Sequence, residues 1–266
     1  MENRYQEKCF CDKARPAECK FIRVHSRFYP PILILADIIL RSPPNPSLMD
    51  ATHQTGIEEI QAFHAAHQDE IVARLSDFRR TWSKGTDEDV FAELVFCILT
   101  PQSRARTCWL AVQRLQEEGL LIEGAPGRIR EELTGVRFNK RKAAYIVEAR
   151  ERFTMNGQIV IRRQIGRLDQ ARARGWLVKN VKGLGWKEAS HFLRNIGRGE
   201  DLAILDRHVL RNLVSLGVIE DMPNTLSGKR YLDIEDNMRA FARAAGIPVS
   251  HLDLVFWSKE TGEIFK

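Results

Sequence analysis

From Ile57 onward, apolar residues return at intervals of three and four, the spacing that gathers them on one face of an α-helix. Thr86 followed by Asp89 is a pair that caps a helix start, and Val90, Phe91, Leu94, Val95 and Ile98 carry the pattern on until Pro101 forbids its continuation. Asn139 opens a second helix through Ala143, Ile146, Val147 and Ala149 towards Phe153. Trp186, Ala189, Phe192, Leu193 and Ile196 form the stripe of a third, and Leu205 to Leu216 reads as a fourth. In that last helix Asp206 stands at the N-cap position and Gly217 just past the C-terminus. Alternating runs of strand length are scarce, so the pattern predicts an all-α fold.

The first 48 residues follow a different pattern. Their longest apolar run, Ile32 to Leu40, is nine residues and contains Asp37, too short for the about 20 residues that span a bilayer. The breaker cluster Arg41-Ser-Pro-Pro-Asn-Pro-Ser47 then sets a boundary that no helix or central strand crosses. Cys9, Cys11 and Cys19, with His25, have a spacing that fits no standard zinc site, so neither a metal nor a cofactor is expected. Residues 1–48 are therefore expected to be an N-terminal extension, either an appended arm or the product of a start placed upstream of Met49, and 49–266 the functional unit. The opening residues lack the basic-then-apolar build of a signal peptide, which predicts a cytoplasmic protein that makes no membrane contact. Five cysteines, three of them before residue 20, do not make a disulfide framework for 266 residues.

At 44% hydrophobic and 29% charged the composition is that of an ordinary globular protein, but the charge is uneven. Between Arg137 and Lys187 there are 14 Lys/Arg against three acidic residues, a local net of +11 within a chain whose total is +6. Such a block is either a solvated helix surface or the footprint of a polyanion such as DNA. At its end stands Asn180-Val-Lys-Gly-Leu-Gly-Trp-Lys187. Gly183 and Gly185 there permit a tight turn and close backbone approach, and a helix N-terminus follows directly, so unpaired N–H groups and the positive dipole end suit a phosphate. Lys187, His191, Arg194 and Arg198 lie on the side of that helix away from its apolar stripe. A cation in the first turn is a poor choice for stability. The same positive end, with Lys182 nearby, favours the neutral amine that a nucleophilic lysine requires.

Lys187 follows Gly185 by two residues, and Asp206 lies 19 further on. The stretch resembles the helix–hairpin–helix motif, with its downstream catalytic aspartate, of the base-excision DNA glycosylase superfamily. Asp201-Leu-Ala-Ile-Leu departs from the usual Gly or Pro ahead of that aspartate. Within the superfamily, the ending Leu252-Asp-Leu-Val-Phe-Trp-Ser-Lys-Glu-Thr-Gly-Glu-Ile-Phe-Lys266 is similar to that of the type-2 8-oxoguanine glycosylases. Gly135-Val-Arg-Phe-Asn-Lys-Arg-Lys-Ala143 and Leu99-Thr-Pro-Gln102 share the likeness, which runs from about Ile57 to Lys266.

The resemblance implies two helical lobes, one from 86–198 and one combining 50–85 with 199–266, with the active cleft between them. It implies a Schiff-base enzyme that excises 8-oxoguanine and nicks the strand by β-elimination, acting as a monomer on double-stranded DNA that carries 8-oxoguanine or abasic sites at the nucleoid. Lys187 would attack C1′ and Asp206 would stabilise the cationic sugar. Lys182, Gly183 and Gly185 would grip phosphates, and Gln102 would reach into the duplex. Trp257 would stack on the extruded base while Lys266, bringing an ammonium and a terminal carboxylate, would distinguish it from guanine. Taken singly, these residues have plainer readings: Asp206 as a cap, Gln102 as a polar residue after a helix-ending proline, Trp257 as core and Lys266 as a loose end. An endonuclease III-like enzyme for oxidised pyrimidines is disfavoured because no cysteine follows Cys108 to bind its iron–sulfur cluster. A helix–hairpin–helix module that only grips DNA would leave Lys187 and Asp206 unexplained.

Overall fold

The computed structural model describes residues 51–266, with side chains from Gln54. The expectations for Cys9, Cys11, Cys19, His25 and the extension 1–48 lie outside the described residues, while Cys97 and Cys108 are both buried and free, in keeping with the absence of a disulfide framework. Helices dominate, as the periodicity predicts: α1 (Ala51–Ser83), α2 (Asp87–Leu99), α3 (Ala105–Glu117), α4 (Leu120–Glu123), α5 (Pro126–Glu132) and α6 (Asn139–Phe153) come first. A two-residue hairpin of β1 (Thr154–Met155) and β2 (Gln158–Ile159) follows, then α7 (Ile161–Ile165), α8 (Gln170–Asn180), α9 (Trp186–Asn195), α10 (Arg207–Ser215), α11 (Gly228–Ala245) and α12 (Val249–Thr261). Sequence periodicity missed the hairpin because it is carried by the turn Asn156-Gly157, where both residues have positive φ, rather than by alternation. No helix among the described residues is long and apolar enough to cross a membrane.

Two hydrophobic clusters organise the chain. In the first, α2 is the central helix. Thr86 Oγ1 accepts from the Asp89 amide at 3.1 Å while Asp89 Oδ2 accepts from the Thr86 amide at 2.7 Å, which fixes its start. Every residue from Val90 to Leu99 is buried, so the helix is enclosed on all sides, by α1, α3, α6, α7 and α9. The second cluster joins Ile60, Ile71, Leu75 and Phe78 of α1 to α10, α11 and α12, the chain returning across more than 100 residues to complete it. Truncating a wholly buried anchor such as Leu193 of α9 to Ala would cost about 2–5 kcal/mol through lost burial and the cavity left behind.

A buried ion pair ties the clusters together. Arg174 of α8 donates to both carboxylate oxygens of Glu235 of α11, at 2.6 and 2.8 Å, with its guanidinium 5.0 Å from the Trp186 ring. Glu235 also accepts from the Ala203 amide at 2.7 Å and pairs with Arg239 at 2.8 Å. With so many partners the buried carboxylate is well satisfied. Trp186, the first residue of α9, packs beside this pair, its ring 6.2 Å from that of Tyr231.

Candidate active site

The stretch 181–186 turns as the sequence suggests, but its two glycines do different work. Gly183 has φ +88°, and a Cβ there would come within 2.8 Å of Tyr145, so both its conformation and its surroundings exclude a side chain. Gly185 has φ −91° and ψ −173°, extended backbone open to any residue, and the expectation of a left-handed glycine is corrected there. Gly185 instead caps α9, its N–H donating to Glu188 Oε2 at 3.2 Å. Lys182 beside the turn is exposed and pairs with Glu148 at 2.9 Å.

Lys187 is the second residue of α9, about a quarter exposed, with Glu188 Oε1 3.8 Å from its ammonium. Asp206 caps α10, Oδ1 accepting from the Val209 amide at 2.8 Å, which leaves the second oxygen uncommitted to the helix. Both residues line one cavity of about 260 Å³, and Trp257 and Lys266 line it too. Four of the residues singled out in the sequence therefore come together although they span 80 positions. Gln102 does not line this cavity. It lies exposed on the adjoining loop, with φ +57°, while its neighbours Thr100, Ser103 and Arg104 contribute to the wall.

That loop is fastened by a residue the sequence reading left without a role. The buried ammonium of Lys142 donates to the carbonyls of Leu99 and Pro101, both at 2.7 Å, and to Ser103 Oγ at 3.2 Å. Ser103 Oγ also accepts from the Arg137 amide at 3.0 Å, so the loop carrying Gln102 is stitched to the one carrying Phe138. Phe138 also has left-handed backbone, φ +58°, and is 57% exposed, an unusual state for a large aromatic residue on a polar surface. The signal for it was the motif Gly135 to Ala143, whose residues were read as a block rather than singly.

The face of α9 opposite its apolar stripe is not a solvent face. His191 and Arg194 are buried and line the cavity, and Arg198 donates to the carbonyls of Ile165 and Leu168. Neither ring nitrogen of His191 has a hydrogen-bond partner of good geometry, and burial, reinforced by the charges of Lys187, Arg194 and Lys266, holds its pKa well below the usual imidazole range. The Lys266 backbone opposes that shift without reversing it. Arg194 pairs with Asp253 of α12 at 3.1 Å and stacks over Phe78, while its Nε and Nη1 stay unpaired. Asp253 rises to about 6, because burial outweighs the pull of Arg194 and the Asp206 charge adds to it. One wall of the cavity thus offers donors beside an acceptor.

The chain has known relatives in sequence and in fold. The family model for 8-oxoguanine DNA glycosylase matches residues 71–247. The chain belongs to this family. It is 45% identical over 209 residues to the 8-oxoguanine DNA glycosylase/AP lyase of Fusobacterium nucleatum, covering 78% of this chain and 96% of that one. The crystal structure of the Thermotoga maritima 8-oxoguanine DNA glycosylase superposes with a TM-score of 0.72 at 34% identity, over 80% of this chain and all of that one. That of the Methanocaldococcus jannaschii glycosylase/lyase, in complex with a 15mer DNA containing 8-oxoguanine, gives 0.72 at 34%, over 79% of this chain and 99% of the other.

Proposed function

We propose that the protein is a bifunctional base-excision enzyme that binds double-stranded DNA, removes 8-oxoguanine and cleaves the resulting abasic site. The observation that carries this reading is the convergence of the Lys187 amine and the Asp206 carboxylate on one cavity of about 260 Å³ whose other walls include an aromatic ring and buried polar groups. A base within duplex DNA cannot be reached by a side chain, so it must leave the stack. The turn at Gly183 and Gly185, with Lys182, grips phosphates, and Gln102 enters the space beside the flipped nucleotide.

The Lys187 nitrogen attacks C1′ through its lone pair; the C1′–N9 bond breaks and its electron pair leaves with the base, which takes up the proton that the attacking nitrogen releases. The sugar ring opens to a protonated Schiff base on Lys187, which makes the C2′ proton acidic. Loss of that proton expels the 3′ phosphate and nicks the strand. The Asp206 carboxylate stabilises the positive charge that develops on the sugar. Trp257 supplies a flat surface for the purine. An acceptor at the Lys266 end of the cavity receives the N7–H of the lesion and repels the lone pair that guanine carries there. The two hydrophobic clusters correspond to two lobes with the cleft between them, and the enzyme works as a monomer in the cytoplasm, at the nucleoid.

Borohydride trapping tests the central step, since only a Schiff-base intermediate becomes covalently fixed to DNA. Lys187→Gln should abolish both excision and trapping while DNA affinity holds, because the basic surface and the hairpin bind independently of the amine. Strand cleavage retained by the purified variant would overturn the assignment of Lys187 as the nucleophile, whereas a parent protein that binds DNA but neither excises nor traps would leave a DNA-gripping module.

A further inference from the structure

Glu93 is a carboxylate in the middle of α2, a helix otherwise buried in apolar surroundings, and it is only 6% exposed. A charge there needs dedicated partners. It has two, both distant in sequence: Asn195 of α9, whose amide donates to Oε2 at 3.0 Å, and the ammonium of Lys266, which pairs with Oε1 across 173 residues. That ammonium also sits 3.2 Å from the centre of the Trp109 ring and 5.5 Å from that of Phe96. Burial lowers the pKa of Lys266 and the Glu93 charge opposes the shift, the pattern of a lysine drawn out of water towards a fixed anion.

The end of the chain is therefore pinned rather than loose, and its cation is spent in a socket of the first cluster. A second pin lies a few residues earlier. Both Nε and Nη2 of Arg106 donate to the Glu263 carboxylate, and the guanidinium lies 5.0 Å from the Phe265 ring. Glu263, Phe265 and Lys266 all line the cavity, so these pins hold an entire side of it in place. The outer pin is exposed and weak. The inner one is buried and sets the register.

We propose that Glu93 is a specificity-determining positioning residue that acts through Lys266, its carboxylate, with Trp109 and Phe96, fixing the tail as the cavity wall against which an extruded base is sorted. This rests on the reading of Trp257 and Lys266 as the base-recognition end. A wall displaced by about 1 Å can cost on the order of 10²-fold in a reaction that depends on fit. Chemistry at Lys187 on an already abasic site has no base to sort and is insensitive to that wall.

The test is a two-residue cycle read as a ratio, single-turnover excision of 8-oxoguanine divided by lyase activity on abasic DNA, so that any loss of folded protein cancels. Glu93→Gln keeps the shape and an acceptor for Asn195 but removes the anion; Lys266→Met keeps the length and removes the cation. Each should lower the ratio by about 10²-fold, and the double variant should fall no further than either alone, because both break one contact. Additive losses, or a Glu93→Gln ratio equal to that of the parent while Lys266→Met and Trp257→Ala lower it, would overturn the anchoring role and leave the recognition reading intact. If Trp257→Ala and Lys266→Met both keep the parental ratio, the recognition reading itself fails.

Discussion

The cavity has two unlike walls. On one, Lys187 and Asp206 each stand at a helix N-terminus, one in the first turn after the cap and the other the cap itself, and each of these N-termini is fixed by a hydrogen bond spanning three residues. On the other, the helix α12 that carries Trp257 is tied to α9 by the Arg194–Asp253 pair, and Lys266 is held by Glu93, Phe96 and Trp109, partners up to 173 residues away. The bond-breaking end is built from local geometry and the selecting end from tertiary packing. Reaction and selectivity can thus respond separately to substitution, because the contacts that set one are not those that set the other.

The comparison is put under most strain at Asp206, where the same carboxylate serves the local helix and the reaction. Asn caps a helix about as well as Asp, so Asp206→Asn should leave Tm close to the parent. It removes the anion that faces the developing sugar cation, and single-turnover excision should slow by roughly 10²-fold or more, about 2.7 kcal/mol at the barrier. A normal rate at a normal Tm would reduce Asp206 to a cap and take away half of the catalytic wall.

Legibility divides along the same line. The Thr86–Asp89 box, the cap at Asp206, the glycine at 183 and the placement of Lys187 were readable because each depends on residues a few positions apart. The polar face of α9 was visible as Lys187, His191, Arg194 and Arg198, but its environment was not: its burial depends on α12 and on the tail, which carry no periodic signal towards α9. Glu93 offers the sharpest case. Within the stripe of α2 it looks like an interruption, and only the return of the chain end supplies its counter-ion. Gly185 errs the other way, a glycine in a glycine-rich turn whose backbone is ordinary. Likewise the Arg174–Glu235 pair joins helices 61 residues apart that no spacing connects.

A tertiary wall with buried charge should respond to pH where a local one does not, and Asp253 gives the sign. Its carboxyl is raised from 3.8 to about 6, chiefly by burial, so the folded protein holds the proton more tightly than the unfolded chain. Its stabilising contribution is complete below about pH 3.8 and is lost as the pH climbs through about 6, a change of roughly 1–3 kcal/mol. Asp253→Asn fixes the neutral form at every pH. Whatever constant offset follows from leaving Arg194 short of a partner, the stability of the parent minus that of the variant should decline between about pH 4 and pH 7, measured by urea unfolding. A difference that stays flat across that range would mean that Asp253 titrates like an exposed carboxylate and that this wall is wetter than its packing indicates.

The smallest effect is expected on the local side, at Lys182. Its side chain is 64% exposed and its ammonium meets Glu148 at 2.9 Å, the kind of surface pair whose removal changes stability by about 0–1 kcal/mol. Lys182→Gln should therefore leave Tm nearly unchanged. If Lys182 neutralises a single phosphate beside the hairpin, the slope of log affinity against log salt should become shallower by about one, equally for lesion-bearing and undamaged duplexes. Glu148 competes for the same ammonium, so Glu148→Gln should raise affinity at low salt and lose that advantage as salt is added. A charge that only grips the backbone has no means of telling one base from another. A change in the preference for 8-oxoguanine over guanine in Lys182→Gln would therefore show that the two walls are coupled, against the separation drawn here, whereas a uniform loss of affinity would confine selectivity to the side held by Glu93.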